Sequence, residues 1–184
     1  AAVINKDLND VLGNFINRVL KMTDKNFGPA VPAVGPITEN ETDLYRTLDD
    51  LVATYTRYMD GVEFRKALAA LREIWVSGNN YIAKTEPWKV VKTDQAYAGT
   101  ILNTALNLIR LFAHLSSPIM PETAGRMLAI IGEPATFVMP VGPMKDYLGA
   151  LPAGRPIVLA EPLFQKIMPE RVQELKIKYK ETEE

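Results

Sequence analysis

Apolar side chains recur at spacings of three and four residues through most of the first 132 positions of the chain. That spacing gathers them on one helical face, and it predicts four long helices and a shorter fifth one. The first apolar positions of the long helices are Leu8, Leu44, Phe64 and Tyr97, and the short helix starts at Pro121. Thr38 and Glu41 match a capping box ahead of the second helix. The fourth is apolar on nearly every face, which predicts a central position.

A different pattern begins at residue 133. Six prolines divide residues 133–165 into short extended pieces, so no long helix fits there. The charged stretch 169–184 then offers a narrow apolar stripe, which predicts a terminal helix followed by an acidic tail. The predicted fold is therefore an all-α helical bundle over residues 1–132, with an irregular, proline-rich C-terminal extension and terminal helix over residues 133–184.

Composition excludes several classes of protein. Apolar residues make up 47% of the 184 positions, which is typical of one globular core, and no apolar run is long enough for a membrane span. Cysteine is absent, which excludes disulfides and thiolate metal sites. The net charge of −1 gives no global field that attracts nucleic acid, so any RNA contact must be local. The start shows no leader pattern and reads as a piece of something longer.

The stretch TEPWKVVKTD, residues 85–94, places a tryptophan directly after a proline at a helix end. The residue before a proline is steered away from the α region, so Glu86 is expected at or just past that end. Trp88 then occupies a corner, where it serves either as a half-buried plug of its own domain or as an exposed surface for base stacking. Three lysines outnumber the one glutamate near this corner: Lys84, Lys89 and Lys92.

A row of polar side chains follows one edge of the first predicted helix. Asp10, Asn14 and Arg18 are spaced four residues apart, and Lys21 extends the row by one turn. An amide and a guanidinium in this arrangement can hydrogen-bond the exposed edges of unpaired RNA bases. The alternative is an ordinary solvated face with an ion pair to Asp10.

The sequence offers no catalytic constellation. His114 is the only histidine, and its apolar neighbours indicate a hydrogen-bonded residue of the core or its boundary. The stretch KMTDK, residues 21–25, differs from a KMSKS nucleotide loop at its third and fourth positions, and no nucleotide-binding strand precedes it. We therefore predict no catalytic residue, no metal site and no bound cofactor in this chain.

Four stretches together resemble the anticodon-binding region of methionyl-tRNA synthetase. They are DLNDVLGNFINRVLKMTDKNFGPAVP, GNNYIAKTEPWKVVK, TALNLIRLFAHLSSPIMPETAGRML and LPAGRPIVLAEPLFQKI. The last of these is similar to the eukaryotic cytosolic type. Related synthetases share the first helix, so the joint occurrence of Asn14, Arg18 and the pair Pro87 and Trp88 is the more specific signal for methionine.

The resemblance implies a helical bundle that reads the CAU anticodon of methionine tRNA. By that analogy Trp88 offers its ring to the cytosine, Asn14 and Arg18 hydrogen-bond exposed anticodon bases, and Pro87 shapes the turn. The phosphate contacts expected around these residues are Lys21, Lys84, Lys89 and Lys92.

The same resemblance implies a parent enzyme, methionine-tRNA ligase, that acts in the cytoplasm. Its ATP-dependent chemistry would take place on an N-terminal catalytic domain outside this chain, and the terminal helix would pack on the bundle or on that domain. Two alternatives stay open at this stage. One is a helical scaffold for protein interactions, and the other is the equivalent domain of another class Ia synthetase.

Overall fold

The computed structural model describes residues 4–159, 162–165 and 167–180. A π-helical segment, Ile4–Gly13, leads directly into the first α-helix. The α-helices are α1 Asn14–Phe27, α2 Glu39–Asp60, α3 Phe64–Thr85, α4 Pro87–Val90, α5 Gln95–Ser116, α6 Pro121–Ile130, α7 Met144–Tyr147 and α8 Pro169–Lys180. No strand occurs within the described ranges, and none of their helices is long and apolar enough to cross a membrane. The all-α prediction is confirmed.

The start of the first predicted helix differs from an α-helix. Its helical path is continuous, but residues 4–13 form a π-helix, whose hydrogen bonds run from residue i to residue i+5 and whose turn is wider. Asp10 lies in this wider segment, whereas Asn14, Arg18 and Lys21 lie in α1. Apolar spacing does not distinguish a π-helix from an α-helix in this stretch, because both keep one face against the core.

The pair α2 and α3 is joined by a short turn and begins at the predicted capping box. The Asn40 N–H donates to Thr38 Oγ1, and the Thr38 N–H donates to Glu41 Oε2 at 2.8 Å. Glu41 is fully buried, and the Tyr81 hydroxyl donates to its other carboxylate oxygen at 2.6 Å. Burial and then the charge of Glu41 raise the pKa of Tyr81, so the phenol keeps the proton that it donates.

Helix α5 occupies the centre of the bundle, as its sequence predicts. Every residue from Ala98 to Ser116 is buried except Arg110. Helix α3 approaches α5 closely at Gly78, where a β-carbon would lie 2.8 Å from Phe112 Cζ and 3.2 Å from Phe15 Cε2. The Phe15 and Phe112 rings are themselves 5.3 Å apart. One glycine therefore lets α1, α3 and α5 meet.

The chain beyond residue 132 contributes to the same core. Six buried side chains among its described residues join the cluster formed by the helices: Met144, Tyr147, Leu148, Leu151, Ile157 and Leu163. Residues 154–157 also hydrogen-bond the loop after α1, with the Val31 N–H donating to the Arg155 carbonyl at 2.8 Å and the Ile157 N–H donating to the Pro29 carbonyl at 2.9 Å. No long helix forms among the described residues between 133 and 165, as predicted. The division of the chain at residue 132 stays a prediction.

The terminal helix is present as α8, but its predicted stripe is only partly covered. Val172 and Leu175 are half-buried. Ile177 and Tyr179 are 61% and 65% exposed. The predicted acidic tail, residues 181–184, lies outside the described residues.

Replacing Gly78 with alanine tests the close packing at the centre of the bundle. The added methyl group must displace two fully buried rings, and overpacking of this kind costs about 1 to 3 kcal/mol, which exceeds the helix-propensity gain of up to about 1 kcal/mol. We expect a lower urea midpoint for G78A. The matched control is G125A in α6, where the nearest atom lies 3.4 Å from the new carbon, so the midpoint should hold or rise. Equal midpoints for both variants would contradict this packing.

Candidate nucleic-acid interface

The corner between α3 and α4 turns at a single residue, Glu86. Its backbone angles are φ 45° and ψ 55°, a left-handed conformation that non-glycine residues seldom adopt. The Glu86 N–H donates to the Ile82 carbonyl at 3.1 Å, and the Glu86 carbonyl accepts from the Lys89 N–H at 2.8 Å. The helix end is where the sequence predicts it. The left-handed angles are a difference from the extended conformation expected before proline, and they let one residue bond both helices.

Pro87 and Trp88 have opposite surroundings, although they are neighbours in the chain. Pro87 is buried at the start of α4, whereas Trp88 keeps 41% of its surface exposed. The other tryptophan of the chain, Trp75, is only 4% exposed and belongs to the core. Trp88 is therefore not sealed on both sides by its own domain, and a flat ring can approach it from solvent.

Arg18 is exposed on α1 and is held by an asparagine from α3. Its Nη2 donates to Asn79 Oδ1 at 3.0 Å. The Nδ2 of Asn79 donates to the Val11 and Trp75 carbonyls at 3.2 and 3.1 Å. These two bonds orient the amide so that its oxygen must face Arg18. The guanidinium is thus fixed at one nitrogen and keeps its other donors for a ligand.

Asn14 lies one turn before Arg18 on the same helix. Its Nδ2 donates to the Asp10 carbonyl at 3.3 Å, which leaves the exposed amide oxygen facing outward as an acceptor. The structure therefore brings Asn14 and Arg18 together at one surface, one as an acceptor and the other as a donor.

Helix α3 relates the polar pair to the exposed indole, because Asn79 of α3 bonds Arg18 and the corner follows the end of α3. Phe15 of α1 is level with Gly78 of α3, and Phe27 at the end of α1 reaches Gly99 near the start of α5. Helix α4 packs against α5 as well. The six residue steps from Asn79 to Thr85 rise about 9 Å. Arg18 and the corner are thus separated by about two helical turns along α3.

The four lysines expected as phosphate contacts divide into two groups. Lys84 pairs with Asp43 at 3.5 Å, and Lys89 pairs with Glu86 at 2.7 Å. Lys21 and Lys92 are exposed, and neither forms an ion pair with another described residue. The basic surface is therefore weaker than a count of its lysines indicates.

Sequence reasoning missed Asn79 as part of this surface. The residue lies within the stretch GNNYIAKTEPWKVVK that carries the resemblance, but it has no special spacing of its own. Its polar side chain stands one turn after the buried Trp75 and is itself half-buried. An amide at such a position needs partners, and that requirement is the signal that could have found it.

The structure offers no centre for metal chemistry in the parts of the chain that it describes, where no group of three metal-ligating side chains occurs. His114 is 1% exposed and accepts a hydrogen bond from the Val138 N–H, which confirms its interpretation as a core residue. It lies roughly 28 Å along α5 from the corner, near the other end of that helix. The surface around Trp88 and Arg18 is suited to binding through stacking and hydrogen bonds.

Comparisons with known proteins agree with this geometry. The family model for the anticodon binding domain of methionyl tRNA ligase matches residues 31–184. Methionine-tRNA ligase of Caulobacter vibrioides is 40% identical over 174 residues, covering 95% of this chain and 31% of that protein. The Streptomyces avermitilis protein of the same name is 40% identical over 181 residues, covering 97% and 31%. The Cereibacter sphaeroides protein is 42% identical over 177 residues, covering 96% and 30%.

Solved structures show the same likeness. Free methionyl-tRNA synthetase of Mycobacterium tuberculosis superposes with a TM-score of 0.78 at 28% identity, covering 91% of this chain and 34% of that chain. The same enzyme in complex with methionyl-adenylate gives a TM-score of 0.76 at 29% identity, covering 90% and 32%. The chain thus spans about a third of the length of the proteins that it matches.

One detail of the resemblance is wrong. The similarity of residues 151–167 to the eukaryotic cytosolic type does not hold, because the relatives named above are bacterial. Leu151, Ile157 and Leu163 of this segment are buried in the core, so their pattern reflects packing that the whole fold requires. Since the family model covers most of the chain and the relatives cover nearly all of it, the chain belongs to the family of anticodon-binding domains of methionyl tRNA ligase.

Proposed function

We propose that this chain binds the anticodon stem-loop of methionine tRNA and recognises its CAU anticodon. The observation that carries the proposal is the exposed indole of Trp88, which stands on a corner built from a buried proline and a left-handed residue. Stacking of one base on an aromatic ring contributes about 1 to 3 kcal/mol. Because the corner is ordered before RNA arrives, binding costs little additional conformational entropy.

The polar pair adds recognition of base edges. Asn14 offers an amide oxygen, and Arg18 offers guanidinium N–H groups whose direction is set by Asn79. Unpaired bases present both donors and acceptors on their edges, so an adjacent acceptor and donor can read them. Lys21 and Lys92 are the phosphate contacts that need no rearrangement. Lys84 and Lys89 would first have to leave their carboxylate partners, which exposed pairs do at a cost of about 0 to 1 kcal/mol.

The chain would act as the C-terminal part of methionine-tRNA ligase in the cytoplasm. ATP would bind to a catalytic domain of that enzyme outside this chain, and the chain itself would bind RNA without catalysing. The exposed Ile177 and Tyr179 of α8 support a contact between the terminal helix and that domain. The relatives named above carry the printed name of the ligase, and most of their length lies outside the matched region.

Trp88→Ala tests the stacking surface. Loss of the ring should weaken binding of a CAU stem-loop by about 1 to 3 kcal/mol while the chain stays folded, because Trp88 is 41% exposed and does not belong to the buried core cluster. Fluorescence anisotropy with a labelled stem-loop measures the affinity. The matched control is F64A, which removes an aromatic side chain of similar exposure, 56%, from the other end of α3. Equal affinities for W88A and F64A would refute the assignment, and unfolding of W88A would show that the indole is a core plug.

Asn79→Ala tests the fixed guanidinium. Without its acceptor Arg18 becomes mobile, so N79A and R18A should each lose about 1 kcal/mol of RNA affinity, and the double variant should lose less than the sum. N80A, which removes the neighbouring exposed amide, is the control and should bind normally. Additive losses in the double-variant cycle would show that the two side chains act separately.

Anticodon specificity tests the proposed identity of the RNA. A stem-loop with CAU should bind more tightly than the same loop with GAU, which differs only in its first base. Equal binding of both loops would remove the specificity claim, and a preference for GAU would indicate the equivalent domain of another synthetase. If neither loop binds even at low salt, where phosphate contacts are strongest, the helical scaffold becomes the better description.

A further inference from the structure

A buried histidine near the C-terminal end of α5 holds a segment without regular secondary structure. This end of α5 is the one far from the corner. The segment comprises residues 134–142, between α6 and α7, and carries exposed apolar side chains at Phe137, Val138 and Val141. The Val138 N–H donates to His114 Nδ1 at 3.3 Å. The next anchor is the Met144 N–H, which donates to Asp49 Oδ1 at 2.8 Å.

The hydrogen bond to Val138 decides the protonation state of His114. A ring nitrogen can accept a hydrogen bond only when it carries no proton, so the imidazole is neutral with its proton on Nε2. Nε2 is buried and has no hydrogen-bond partner among the described residues, with Glu133 Oε2 at 3.8 Å. The ring also meets the edge of Tyr147, with centroids 6.4 Å apart.

The charges that face the imidazole do not compensate a second proton. Arg110 from α5 and Arg155 from the extension bond Glu133 at 2.9 and 3.4 Å, so two cations share its negative charge. Tyr147 from α7 stays neutral, because burial raises its pKa. Burial, and then Arg110, lower the pKa of His114, while Glu133 opposes them.

We propose that His114 is an acid-released latch for residues 134–142. When the imidazole takes up a proton at Nδ1, the acceptor becomes a donor that faces the Val138 N–H, and the hydrogen bond between them is lost. Two donors cannot share that position, so the segment must move away from α5. The released segment carries the exposed side chains of Phe137, Val138 and Val141 with it, while Asp49 still anchors the chain at Met144.

The direction of the pH dependence follows from the lowered pKa. Once the segment is released, His114 regains the ordinary histidine pKa near 6.5. The imidazole of the latched state binds a proton more weakly. The latch therefore contributes fully above about pH 6.5, and its contribution is lost as the pH falls through the interval between the two pKa values.

Hydrogen exchange at the Val138 amide tests the latch in the wild-type chain. NMR at pH 7.5 should show the Nε2–H tautomer of His114 and a protected Val138 amide. As the imidazole titrates, protection, corrected for the intrinsic exchange rate, should fall about tenfold for every unit by which release raises the pKa. The Leu108 amide in the middle of α5 is the internal reference and should stay protected. Constant protection of Val138 through the His114 titration would overturn the proposal.

His114→Asn is the matched variant. The asparagine side-chain oxygen occupies the place of Nδ1 and can accept from Val138, but it does not titrate. Protection at Val138 should then be independent of pH, and a loss equal to that of the wild type would overturn the proposal. If H114N does not fold, the wild-type titration decides alone. It needs only that the pH midpoint of the His114 titration coincide with the pH midpoint of the loss of Val138 protection.

Discussion

The left-handed backbone at Glu86 is the constraint on which the exposed surface depends. It closes α3 through the Ile82 carbonyl and opens α4 through the Lys89 N–H, so no residue is left over for a flexible connection. Such a conformation costs about 1 to 3 kcal/mol for a non-glycine residue and persists only where its surroundings determine it. The fixed φ of Pro87 and the cap by which Asp94 accepts from the Tyr97 N–H hold the other side of the corner. The position of Trp88 follows from these restraints.

Helix α3 connects the indole to the polar pair, because it carries both the corner and Asn79. Its contact with α1 and α5 at Gly78 sets the depth at which it packs. A shift of α3 in the core would therefore displace the partner of Arg18 and the support of Trp88 together. A binding surface formed by one rigid helix has this advantage over one formed by separate loops: its parts keep their mutual geometry when the core is sound.

The sequence predicts most of the fold and part of the site, for identifiable physical reasons. The capping box at Thr38 and the all-round apolar character of α5 are local signals, and both are confirmed. Apolar periodicity does not distinguish π-helical from α-helical hydrogen bonding, and a single turn is too short to show any periodicity. It therefore could not predict the π-helical start, the one-turn α7 or the backbone angles of Glu86. Asn79 and the pairing of Lys84 with Asp43 depend on contacts between helices, which spacing along the chain does not specify.

The bridge between residues 29–31 and 154–157 has a consequence for biosynthesis. The loop after α1 is translated well before residues 154–157, whose backbone groups satisfy its Val31 N–H and Pro29 carbonyl. A chain leaves the ribosome from its N-terminal end, at about 5 to 20 residues per second. The helices before residue 133 can thus collapse first, while the nascent loop stays hydrated and unpaired until residues 154–157 have been translated.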